Sequence, residues 1–163
     1  METVHVKIAD LAVKKEDGIL VTFGLGSCVG IALYDQKDRV GGLAHILLNE
    51  SSKFIRPGKT DVNPVKFADT AVPHLLEKMV ELGARKTNLV AKIAGGASLF
   101  NFKAETGNVG DKNIEAVRSV LKELQIRTVF EDVGGNHGRT MRLFIDTGEV
   151  TITTAGKGVA KKI

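Results

Sequence analysis

The chain offers one thiol, Cys28, and four imidazoles, His5, His45, His74 and His137, as its candidates for nucleophilic chemistry. Cys28 follows Gly24-Leu25-Gly26-Ser27 at the mouth of an apolar run. Small residues let a backbone turn sharply and let a substrate come close, so a thiol here is expected to be exposed enough to react. A structural cysteine more often lies mid-strand and faces the core. Consecutive N–H groups at such a turn, those of Gly26 and Ser27, are expected to face a developing oxyanion. A thiol of ordinary pKa about 8.5 is a weak nucleophile and needs a neighbouring base. His45 lies within the run Gly41-Gly42-Leu43-Ala44-His45-Ile46-Leu47-Leu48, where its ring nitrogens must find partners and a thiol would serve one of them. Thr22, in another apolar run, would accept a hydrogen bond from the second nitrogen and fix the tautomer, giving a triad with a weak third member.

The residue types alone leave alternatives open. A lone cysteine such as Cys28 is more often a small inert hydrophobe than a nucleophile, Thr22 reads also as a β-branched strand residue, and His45 as a satisfied core histidine. His137, which also follows a glycine-rich turn, is a rival base. Other chemistries fail on spacing. Gly24-Leu25-Gly26-Ser27-Cys28-Val29 has valine where a dinucleotide fingerprint needs its third glycine, and no P-loop lysine follows either glycine cluster. Four unpaired histidines and one cysteine make no zinc set, and Ser27 and Ser98 lack the Gly-x-Ser-x-Gly elbow. The field narrows to thiol chemistry or none, with no cofactor and no metal expected.

The elements that must position these groups follow from pattern. Val4 to Ile8 alternates as a short strand, and Gly18 to Phe23, Cys28 to Tyr34 and Val40 to Leu48 are apolar runs with tight punctuation, expected as antiparallel neighbours. Asn49 to Asn63 reads as an exposed loop. A helix carries Val65, Ala68, Val72, Leu75, Leu76, Met79 and Val80 at helical spacing and ends at Gly83. Pro73 either kinks it or lies in its first turn, with Asp69 or Thr70 as the cap. Asn88 to Ala94 is a strand, Asp111 caps a second helix, Ile126 to Val133 is a strand, and Arg139 to Asp146 pairs with Glu149 to Thr154 in a hairpin. The sum is one α/β or α+β domain over residues 1–163, with a mixed or largely antiparallel sheet and two main helices.

Bulk properties narrow the setting. With 43% hydrophobic and 26% charged residues, the chain of 163 residues is globular and long enough for a core. Neither a signal peptide nor a run of ~18 apolar residues is evident, and a lone cysteine suits a reducing compartment; cytoplasmic placement without membrane insertion is expected. The charge of +4 is scattered, and one Tyr with no Trp leaves little for base stacking, so nucleic acid is not an expected partner.

Six ordered segments carry a family resemblance. Thr22-Phe23-Gly24-Leu25-Gly26-Ser27-Cys28-Val29 resembles the nucleophile segment of CheD proteins, and Gly42-Leu43-Ala44-His45 resembles their histidine strand. Lys66 to Ala71, Lys92 to Phe100, Asn108 to Asn113 and Asp132 to Arg139 follow in the family's order. Asn49, Phe67 and Lys112 depart from the residues usual at their positions, in loops and flanks rather than at Cys28, His45 or Thr22. The resemblance implies an enzyme that converts chemoreceptor glutamines to glutamates through a cysteine thioester, with Cys28, His45 and Thr22 as its nucleophile, histidine and threonine. It implies a CheC-type phosphatase as partner and a fold similar to bacterial toxin deamidases. A non-catalytic adaptor for receptors or the phosphatase, and a transglutaminase-like enzyme, are the alternatives.

Overall fold

The computed structural model describes residues 1–51, 63–98, 108–154 and 160–162, the last as backbone. Ten strands run in chain order: β1 (Thr3–His5), β2 (Asp10–Lys15), β3 (Ile19–Leu25), β4 (Val29–Asp35), β5 (Val40–Ile46), β6 (Leu89–Gly95), β7 (Arg127–Val133), β8 (Arg139–Phe144), β9 (Val150–Thr154) and β10 (Ala160–Lys162). Helix α1 (Ala68–Glu81) lies between β5 and β6, and α2 (Val109–Glu123) between β6 and β7. The strands form two mixed five-stranded sheets, ordered β1-β3-β8-β9-β10 and β2-β5-β4-β6-β7. Among the strands of the described residues, β1–β3 and β6–β7 pair in parallel and the other pairs are antiparallel.

Strands β4 and β5 are buried at every residue, because the second sheet is covered on both faces. Val29, Ile31 and Leu33 of β4 pack with Ala71, Leu75, Met79, Val117 and Leu121 of the helices. Ala32 and Tyr34 turn the other way, onto Leu20, Met141, Leu143 and Ile152 of the first sheet. A strand buried on both faces loses the alternation that a half-exposed strand keeps; β8, with one face to solvent, retains it.

The second sheet is pinned at one end by Asp35, the last residue of β4 and fully buried. Its carboxylate accepts from the Lys37 and Asp38 N–H groups at 3.0 Å, the Arg85 N–H at 2.9 Å and the Asn88 amide at 3.4 Å.

The expected α/β class holds, with two helices and mixed sheets, but several details change. Runs β4 and β5 are antiparallel neighbours as expected, whereas β3 belongs to the other sheet. The cause is a β-bulge between Thr22 and Leu25, followed by Gly26-Ser27-Cys28, which carries the chain from one sheet to the other. Asn108, not Asp111, caps α2, accepting from the Gly110 N–H at 2.8 Å. Helix α1 starts at Ala68, and neither Asp69 nor Thr70 caps it. The Asp69 carboxylate instead holds the Ser51 N–H and hydroxyl at 3.0 and 2.8 Å. Pro73 sits inside α1, beyond its first turn, where a proline removes one helical hydrogen bond and crowds the carbonyl four residues earlier. Strand β2 escaped the pattern because it is a polar edge strand, exposed or half-buried throughout. The loop expected over Asn49 to Asn63 lies mostly outside the described residues, as do Leu99 and Phe100.

Gly95, at the end of β6, adopts φ 111°, and a Cβ there would stand 2.2 Å from the Cys28 carbonyl oxygen. A side chain meets both backbone strain and a backbone clash, which cannot be relieved by rotating a neighbour. Gly95→Ala is expected to lower stability by roughly 2–4 kcal/mol, measured as a fall in the urea midpoint at unchanged m-value.

Candidate active site

Three elements bring the site together. Along β5 the side chains alternate: a Cβ on Gly42 would meet Leu75 and Met79 of α1, and one on Gly41 would meet Ile145 and Leu143. His45 shares the second face, so the two-residue period of the strand turns it toward the first sheet. There it meets Thr22 of β3. Both side chains are fully buried, and Thr22 Oγ1 lies 2.7 Å from His45 Nδ1 and 2.7 Å from the Val6 carbonyl oxygen.

That pair of contacts settles the tautomer. A carbonyl only accepts, so the single Thr22 hydrogen goes to Val6. His45 Nδ1 must then donate to Thr22, and Nε2 is left as a bare lone pair. Among the described residues, His45 Nε2 is a buried atom with no hydrogen-bond partner.

Cys28 enters from β4. Gly30 pairs with His45 in the β4–β5 register and Val29 with Ile46, so Cys28 lies diagonally from His45, on the inter-sheet side shared with Gly30. Diagonal neighbours of this kind are about 7–8 Å apart at Cα, and no hydrogen bond joins the Cys28 thiol to His45 Nε2, so the thiol does not serve that nitrogen as expected. Cys28 packs with the inter-sheet cluster of Leu25, Ala94 and Met141. It keeps 6% of its surface exposed. The expected exposed thiol is thus a buried one, because the glycine turn packs against a neighbour: the Gly96 N–H donates to the Cys28 carbonyl and the Ala97 N–H to Gly26, both at 2.8 Å. The Gly26 N–H is itself committed to the Gly24 carbonyl at 3.0 Å, which removes it from the expected oxyanion donors. Ser27 is half-buried, its carbonyl accepting from the Asn113 amide at 2.9 Å.

Burial sets the electrostatics. It pushes the Cys28 thiol up, opposed by the hydrogen bond from the residue's own backbone N–H. It pulls the His45 imidazole down to about 4, with the nearby His5 charge acting in the same direction. Both groups therefore rest in their neutral forms at pH 7. Among the described residues no group of three or more His, Cys, Asp or Glu is placed to hold a metal ion.

The remaining histidines lie elsewhere. His137 is half-buried on the Gly134–Gly135 turn, its ring against Gly135, and the hydroxyl that fixes a tautomer is bonded to His45. His74 sits on α1, on the far side of the second sheet. His5 is exposed, its ring edge-on to Phe23 with centroids 5.0 Å apart. Sequence reasoning missed Arg139 and Asn113. Arg139, 3% exposed, donates to the carbonyls of Gly95 at 3.3 Å and Gly134 at 2.9 Å and pairs with Asp132 at 3.3 Å. It braces the segment on which Cys28 rests, and its place in a run of turn glycines was the available signal.

Fold and site together define a two-sheet α/β protein with a cysteine, a histidine and a threonine gathered where its sheets meet. A family model described as CheD chemotactic sensory transduction matches residues 47–154, a span that begins after all three. Curated relatives cover them. The chain is 48% identical over 165 residues to a protein named probable chemoreceptor glutamine deamidase CheD from a type E strain of Clostridium botulinum, spanning 99% of both chains. It is 51% identical over 160 residues to the protein of that name from the Hall strain, spanning 97% of this chain and 96% of the relative. The chain belongs to the CheD family. Among solved structures, the C-terminal domain of CNFy from Yersinia pseudotuberculosis is similar with a TM-score of 0.42 at 12% identity, over 99% of this chain and 62% of that one.

The depressed His45 pKa has a stability consequence. Between an unfolded value near 6.5 and the folded value of about 4, the unfolded chain binds a proton that the folded protein does not, so stability rises with pH in that window. The contribution is present above about pH 6.5 and is lost as pH falls toward 4, on the order of 3 kcal/mol. Thermal melts at stepped pH are expected to show this slope in the wild type and a shallower one in His45→Gln.

Proposed function

We propose that this chain is a protein-glutamine deamidase of chemoreceptors, working through a thioester on Cys28. The observation that carries the reading is the bare, unpartnered Nε2 of His45, held in its tautomer by Thr22 on the face shared with Cys28. The names of the curated relatives support the substrate class.

The glutamine side chain is an uncharged carboxamide on a slim aliphatic stem, suited to reaching a thiol with so little open surface. Thiol and imidazole rest neutral, so His45 Nε2 takes the proton as the sulfur attacks the carboxamide carbon. The negative charge on the carbonyl oxygen meets backbone N–H donors. The imidazolium returns the proton to the nitrogen, ammonia leaves, and a Cys28 thioester remains. Water, deprotonated by the same His45, hydrolyses the thioester to glutamate and frees the thiol. Thr22 orients the ring. Being neutral, it leaves the resting imidazole uncharged, where an aspartate would favour the charged form.

The family resemblance supports two further elements of the proposal: a cytoplasmic setting alongside the receptors' modified region, and association with a CheC-type phosphatase. The burial of Cys28 favours one competing reading, an adaptor that binds receptors without altering them.

Mass spectrometry of a chemoreceptor cytoplasmic fragment incubated with the protein tests these together. Glutamine-to-glutamate conversion with ammonia release is expected, lost in Cys28→Ala and reduced by about 10- to 100-fold in Thr22→Ala; an unaltered fragment would leave the adaptor. The acid limb of the rate profile is expected near pH 4 rather than 6.5, since activity falls only as His45 gains its proton. Full turnover by Cys28→Ala would end the proposal.

A further inference from the structure

We infer that Asn113 is a positioning residue for the Cys28 reaction, holding the Ser27–Cys28 peptide so that the Cys28 N–H serves as an oxyanion donor. The inference rests on the deamidase reading. Asn113 projects from the first turns of α2 and is fully buried. Its Nδ2 donates to the Ser27 carbonyl at 2.9 Å and to the Leu47 carbonyl at 3.0 Å. Both neighbours only accept, so the nitrogen is the end of the amide that must face them. Its Oδ1 is buried with no hydrogen-bond partner among the described residues.

A buried amide kept only for packing would be expected to satisfy both ends. Here an acceptor goes unpaired while both hydrogens are placed on carbonyls that flank the chemistry. Ser27 immediately precedes Cys28, and Leu47 lies two residues past His45. One side chain thus ties the nucleophile turn to the end of the histidine strand.

Its effect on the donor follows from peptide geometry. The Ser27–Cys28 peptide is planar and trans, so its C=O and N–H point in opposite directions. Holding the Ser27 oxygen on Asn113 therefore fixes the Cys28 N–H on the opposite side of the peptide, and this N–H belongs to the same residue as the attacking sulfur. Attack joins that sulfur to the carboxamide carbon and places the new oxyanion beside the same N–H. The Gly26 N–H, already donated to Gly24, does not compete for this role.

The test compares wild type, Asn113→Ala and Asn113→Asp by two readouts. One is kcat and KM for ammonia release from a purified chemoreceptor cytoplasmic fragment. The other is the rate of Cys28 alkylation by iodoacetamide, a displacement at saturated carbon that forms no oxyanion. Loss of one oxyanion donor predicts kcat lower by about 100-fold, with KM and the alkylation rate unchanged. Unchanged kcat would overturn the assignment. So would alkylation falling in step with kcat in both variants, since that marks a collapsed thiol seat rather than a lost donor. Asn113→Asp, of the same size, carries the test if Asn113→Ala does not fold. Wild-type protein no more active than Cys28→Ala would remove the deamidase reading itself, and this assignment with it.

Discussion

One hydroxyl hydrogen orders the whole site. The Val6 carbonyl can only receive it, Thr22 can only give it there, and His45 must then give its own Nδ1 hydrogen to Thr22. The chain of donors runs in one direction and ends with a lone pair at Nε2. Because Thr22 stands in one sheet and His45 in the other, this order exists only while the two sheets are packed face to face. The same packing removes water, which keeps both thiol and imidazole uncharged. A resting ion pair would gain little in such a place, since desolvating two charges costs more than a loose geometry returns. The arrangement is a neutral one, poised to separate charge only as a carboxamide is attacked.

The thiol itself rests on backbone rather than on side chains. A bulge in β3, a three-residue crossing and the glycines at the end of β6 let three stretches of main chain approach closely. Gly95 and Gly96 both hold positive φ, and the space a Cβ would need is filled by the Cys28 carbonyl at one and by Ile114 at the other. Arg139 binds the carbonyl oxygens of Gly95 and Gly134 from behind. This construction is rigid for the reason that protein interiors are: no neighbour has room to give.

What the sequence disclosed and what it withheld divide along the range of the interactions. Cys28, Thr22 and His45 were legible because each is chemically conspicuous within its own apolar run, and strand and helix periods located most elements. The sheet to which β3 belongs was not, since apolar alternation reports that a face is buried but not what covers it. Asn108 and Asp111 offer the same capping chemistry three residues apart, and only the observed turn separates them. Burial of Cys28 was misjudged because flexible residues were read as open space, when they are what allows other backbone to move in. Asn113 was invisible for a simpler reason: its partners lie 86 and 66 residues away, and no local pattern carries contacts of that range.

Asp35 and Cys28 bracket the same strand, one at its last residue and the other just before its first. Strand faces alternate residue by residue, so a slip of β4 by a single position would turn the thiol toward the helices and away from the imidazole. The four donors that grip the Asp35 carboxylate come from outside β4, and they hold the strand as a detent holds a sliding bar. That anchor, roughly 20 Å along the strand at ~3.3 Å per residue, joins the ladders to β5 and β6 in fixing which way the sulfur looks. Alignment along the strand, rather than proximity, is how that distant carboxylate takes part in the site.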